Sequence, residues 1–108
     1  MVQVCHPDIE WHTLWPGLEP VYRGHEGIRA WGHAILEIFE NPGSEVVELL
    51  DVDDHRAVLH LRVYGRGRES GTPADMHVYD VWTFEGGLLR ERRTFYERER
   101  AEKAAGLR

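Results

Sequence analysis

The spacing of apolar residues changes period once along the chain, and that change limits the possible folds more than any other feature. From residue 25 to about 40, Ile28, Trp31, Ile35, Ile38 and Phe39 recur at helical spacing, and Asn41-Pro42-Gly43 follows as a stop. Beyond Gly43 the period is two: segments 46–52, 57–65, 76–84 and 88–96 alternate, separated by Asp53-Asp54, by 66–73 and by Gly86-Gly87. One amphipathic helix followed by four strands with short links predicts an α+β domain, an antiparallel meander carrying the helix on one face. Gly27 and Gly32 each weaken that helix by ~1 kcal/mol relative to alanine, so packing must hold it.

The flanks add less. Ile9-Glu10-Trp11-His12 predicts a short strand, and residues 13–24, with Pro16, Gly17, Pro20 and Gly24, read as a loop. The charged, alanine-rich segment 97–105 predicts a terminal helix closed by Gly106. A chain of 108 residues has room for one core, so residues 1–108 are expected to form a single domain. The balance of 13 basic and 19 acidic residues gives a field that repels phosphate, which argues against a nucleic-acid partner. The sequence carries no 20-residue apolar run and no signal-peptide pattern, so a cytoplasmic chain without a membrane partner is expected. Cys5 is the only cysteine, which excludes an internal disulfide. The histidines at positions 6, 12, 25, 33, 55, 60 and 77 show no metal-ligand spacing, and no metal or cofactor is expected.

The chemistry concentrates in segment 76–84. Side chains alternate across a sheet, so Met76, Val78, Asp80, Trp82 and Phe84 share one face, and His77, Tyr79, Val81 and Thr83 share the other. Asp80 is the one carboxylate on an apolar face, and burying it unpaired would cost several kcal/mol. A two-residue turn at Gly86-Gly87 pairs Trp82 with Glu91, Asp80 with Arg93 and Val78 with Phe95. A register shifted by one residue would instead bring Arg92 inward and turn Arg93 out. The expected site is therefore Asp80 with Arg93, walled by Trp11, Trp31, Val78, Trp82 and Phe95, with Glu91 as a second acid. Paired, Asp80 is an anchor; unpaired, it suits general-acid work.

Three stretches, His6-Pro7-Asp8-Ile9-Glu10-Trp11-His12, the run from Tyr22 through Trp31, and Asp80-Val81-Trp82-Thr83-Phe84 before a glycine hairpin, resemble the SnoaL-like branch of the nuclear transport factor 2-like superfamily. The ending Ala104-Ala105-Gly106-Leu107 is similar too. The resemblance implies a cone-shaped α+β fold, a strongly curved antiparallel sheet packed on helices around an apolar pocket. Ketosteroid isomerase shares this superfamily, and Asp80 resembles its oxyanion aspartate. The position resembling its general base is Trp11, which cannot take a proton, so steroid isomerisation is not expected. The usual first helix is missing or abbreviated, which predicts a cone open on one side.

Two functions follow as expectations. One is a pocket for a small apolar or aromatic molecule, with isomerase, cyclase or hydrolase-type acid/base chemistry centred on Asp80. The other is a noncatalytic homodimerisation domain with a vestigial pocket. In both, one helix cannot cover two sheet faces, and the row containing Tyr79 and Val81 is expected to pair two copies.

Overall fold

The computed structural model describes residues 2–107. A 3-10 turn (Val2–Val4) leads into β1 (Cys5–His12), β2 (Val21–Arg23), α1 (Gly24–Ile38), β3 (Phe39–Val52), β4 (Arg56–Gly67), β5 (Pro73–Glu85), β6 (Leu88–Phe95) and α2 (Arg98–Ala104). The strands form one curled sheet in the order β2-β1-β6-β5-β4-β3. Every junction is antiparallel except that of β1 with β6. The meander expected from the alternation is β3 to β6; β1 extends it by lying parallel to the last strand. No helix among the described residues is long and apolar enough to cross a membrane.

Two boundaries differ from the sequence expectation. The segment 13–24 contains β2, which pairs with β1 through Tyr22 opposite Trp11. The helix ends at Ile38, and Phe39 opens β3 and meets Trp15 edge-on at 5.3 Å. The chain then runs through Asn41-Pro42-Gly43 as strand, with Asn41 at φ +50° and a break in pairing between Glu40 and Gly43. Gly43 lets the Tyr64 ring lie over it, 2.7 Å from where a Cβ would stand. The residues expected to stop the helix instead bend the start of a long edge strand.

The sheet has two differently built faces. On the inner face, Cys5, Ile9, Trp11, Tyr22, Ile28 and Leu89 form one buried cluster, against which Trp31, Trp82 and Phe84 pack. Ala57, Leu59, Leu61 and Val78 continue it across β4 and β5. The helix therefore lies on the Val78, Trp82 and Phe84 face, as its apolar stripe requires. On the outer face, Val58 and Val81 are buried under Ala101 of α2 and Ala105 at its C-cap, with Tyr79 and Phe95 packed alongside. This corrects the premise for pairing two copies there: Val81 is 5% exposed because the terminal helix covers it. The apolar surface that stays wet is on β3, where Val46, Leu49 and Val52 are more than half exposed. They stand opposite Leu61, Leu59 and Ala57 and so share the inner face.

At Gly27, α1 packs closely on β2: an added Cβ would lie 2.9 Å from the Tyr22 carbonyl carbon. Gly27→Ala is expected to cost about 1–3 kcal/mol in urea unfolding despite its better helix propensity. Gly32, with nothing within 4 Å of its would-be Cβ, is the control: Gly32→Ala is expected to stabilise by about 0.5–1 kcal/mol.

Candidate functional site

Asp80 sits in the middle of β5 on the inner face and is 1% exposed. Its Oδ2 accepts Trp82 Nε1 at 3.0 Å and Arg92 Nε at 3.0 Å, and its Oδ1 accepts the Thr94 hydroxyl at 2.7 Å. A carboxylate offers about four lone-pair positions, and three are filled from within the fold. Arg92 also donates Nη1 to the His12 carbonyl at 3.1 Å and lies 4.5 Å above the Trp11 ring. This one side chain thereby ties β1 and β5 to its own strand β6.

The hairpin explains why Arg92 takes this place. Gly86 and Gly87, at φ +59° and +79°, form the expected two-residue turn and set Glu85 opposite Leu88 and Phe84 opposite Leu89. The register then slips by one: Thr83 faces Glu91, Trp82 faces Arg92 and Asp80 faces Thr94. Arg90 is the extra residue of this bulge, and its guanidinium reaches the Asp8 carbonyl and the carboxylates of Glu85 and Glu10. The strand beside it is irregular too, with a slip in β1 between Cys5 and Glu10 that spans Pro7. Proline has no N–H to give the ladder, which suits the gap in β1–β6 pairing that lies beside the bulge between β5 and β6.

That slip overturns three of the expected assignments. Arg93 is not the partner of Asp80: it lies opposite Val81 on the outer face, exposed, 5.3 Å from the Phe95 ring. Phe95 faces Tyr79 on the outer side and packs near α2, not beside Val78. Glu91 also points outward, 3.9 Å from His12. Trp11, Trp31, Val78 and Trp82 do share the inner face with Asp80, and Trp11 meets Trp31 at 4.8 Å between ring centres. Thr94 and Arg92 are the additions that a ladder without a bulge hides.

Two features bear on what this arrangement can do. Trp11 Nε1 is buried with no hydrogen-bond partner among the described residues, and Arg92 lies over its ring. Trp31, Trp82 and Phe84 are only partly buried and form the accessible part of the aromatic wall. Two shallow hollows lie elsewhere. One of about 320 Å³ is lined by Arg62, Tyr64, Arg66 and Asp75 among others, and one of about 330 Å³ by Glu10, Arg23 and Arg90 with Pro7, Asp8 and Gly24. On the outer face, the hydrogen bond from His12, with the charges of Arg23, His12 and Arg90 added to it, holds the Glu10 carboxyl below the usual glutamate range, and burial, which outweighs any one of those charges, opposes them. Stability from Glu10 is therefore present above the ordinary glutamate pKa and fades as pH falls through its lowered folded value. In an NMR titration His12→Ala is expected to move the Glu10 midpoint back up.

Removing one member of the buried pair leaves the other uncompensated. Asp80→Asn is expected to cost about 3–5 kcal/mol in chemical unfolding, and Thr94→Val about 1–3 kcal/mol. Arg93→Gln, on the exposed side, is expected to stay within about 0.5 kcal/mol of the parent.

The sequence profile of the SnoaL-like domain matches residues 1–92. No curated protein matches the chain. Solved structures do share its fold. A hypothetical protein with a ketosteroid isomerase-like fold from Catenulispora acidiphila, in complex with trimethylamine, superposes with a TM-score of 0.78 at 12% identity, covering 97% of this chain and 78% of that one. TerC co-crystallised with polyporic acid gives 0.76 at 19% identity over 94% and 80%. A SnoaL-like polyketide cyclase homologue from Jannaschia gives 0.69 at 20% identity over 86% and 67%. With the profile spanning most of its length and the curled sheet shared with these structures, the chain belongs to the SnoaL-like domain family of the nuclear transport factor 2-like fold.

Proposed function

We propose that the protein binds a small apolar or aromatic molecule against the inner face of the sheet, over Trp31, Trp82 and Phe84. The observation that carries this reading is the set of partly exposed rings, Trp31, Trp82 and Phe84, packed on the cluster that holds Trp11, with Arg92 over the Trp11 ring. Partly exposed aromatic rings beside a few convergent polar groups are the usual composition of a small-molecule site. The trimethylamine and polyporic acid held by two structures of the same fold support a ligand-binding role, without naming the ligand of this chain. In this reading Asp80 is a positioning residue. Three donors hold its carboxylate, and it in turn fixes Arg92 at the base of the face.

A second reading, a noncatalytic homodimerisation domain, draws on two observations. The hollows of about 320 and 330 Å³ lie away from Asp80, and β3 leaves Val46, Leu49 and Val52 exposed in one row. Exposed apolar rows of this kind mark interaction surfaces.

Titration with naphthol, followed by tryptophan fluorescence, separates the two. Ligand binding predicts saturable quenching, weakened about 10-fold in Trp31→Ala or Phe84→Ala, which corresponds to roughly 1.4 kcal/mol, and unchanged in Arg93→Gln. Absence of saturable quenching, together with a sedimenting dimer that Leu49→Glu dissociates, would replace the first reading with the second.

A further inference from the structure

On the outer face, three side chains from two strands converge. Glu10 of β1 stands directly across from Glu91 of β6, and His12 lies two residues further along β1 on the same side. His12 Nε2 is 3.2 Å from Glu10 Oε1 and 3.9 Å from Glu91 Oε2, and the three donor atoms lie within 4.8 Å of one another. We propose that Glu10, His12 and Glu91 bind a divalent transition cation of the zinc class, independently of any ligand on the inner face.

Metal bonds of about 2.0–2.2 Å to nitrogen and oxygen put neighbouring ligand atoms about 3–3.5 Å apart, so only a small closure around an ion is needed. An imidazole nitrogen with two carboxylates favours zinc over magnesium or calcium, which take oxygen sets. Neutral His12 would supply its Nε2 lone pair, and the two carboxylates supply the charge. Arg23 and Arg90 approach Glu10 through its other oxygen, Oε2, at 3.4 and 3.7 Å. They leave Oε1 facing His12 and hold the carboxylate in orientation. All three ligands are partly exposed, which gives an ion a path from solvent and leaves positions for water. Such a cation would clip β1 to β6 across the parallel junction. Histidine spacing along the sequence misses this cluster because one ligand arrives from the far end of the chain.

The test is calorimetric titration of the full chain with zinc chloride near neutral pH, with magnesium chloride as the comparison. The proposal predicts one saturable zinc site per chain with micromolar affinity and none for magnesium. His12→Ala, and independently the near-isosteric Glu91→Gln, should weaken zinc by about 10-fold or more. The paired change His60→Ala with His77→Ala removes the other histidine cluster, whose ring nitrogens lie 2.7 Å apart, and should leave the site unchanged. Zinc should also raise the melting temperature of the parent but not of either ligand variant. No saturable binding at millimolar zinc would overturn the proposal. So would binding that survives His12→Ala and Glu91→Gln but is lost in the His60 and His77 variant.

Discussion

The buried ion pair of Asp80 and Arg92 is the constraint around which the sheet is arranged. A carboxylate at 1% exposure needs its donors supplied by the fold, and they come from Trp82 on its own strand and from Thr94 and Arg92 on the next. Arg92 passes the connection on to the His12 carbonyl, so the parallel junction of β1 with β6 is fixed by the residue that neutralises the carboxylate. A charge in this position adds little net stability over an apolar residue of the same volume, yet losing one partner alone is costly. What the pair contributes is register: only one alignment of β5 and β6 puts Arg92 and Thr94 together on Asp80.

That alignment also marks how far the sequence could be read. The switch from a helical period to a period of two identifies α1 and the four strands β3 to β6, and Gly86-Gly87 identifies their last turn. The polarity of β5 singles out Asp80 as a buried charge in need of a partner. What the pattern does not reveal is the bulge at Arg90, because an extra residue changes no period that a short strand can display. One residue of slip sends Arg93, Glu91 and Phe95 to the outer face and brings Arg92 and Thr94 inward. The shift by one residue that would exchange the two arginines is legible as an alternative, but no local signal in β6 encodes the bulge that decides between the two registers.

The two faces then carry separate chemistry. The inner one combines aromatic rings with a buried carboxylate held by three donors. The outer one is divided between α2, which covers Val58 and Val81, and charged clusters at the β1 and β6 end. The short terminal helix matters more than its length implies, because Ala101 within it and Ala105 at its C-cap let it sit close on β-branched residues of the sheet. The exposed row on β3 is flanked along the same strand by Glu45, Glu48 and Asp51, charges that oppose adventitious pairing of this edge.

The most direct test of this account is a double-mutant cycle in equilibrium unfolding that joins Asp80→Asn first with Arg92→Met and then with Arg93→Met. The arrangement described predicts a coupling of about 1–3 kcal/mol between Asp80 and Arg92 and none between Asp80 and Arg93. Coupling to Arg93 in place of Arg92 would mean that β6 runs without its bulge, and the ion pair would no longer explain how the sheet is held in register.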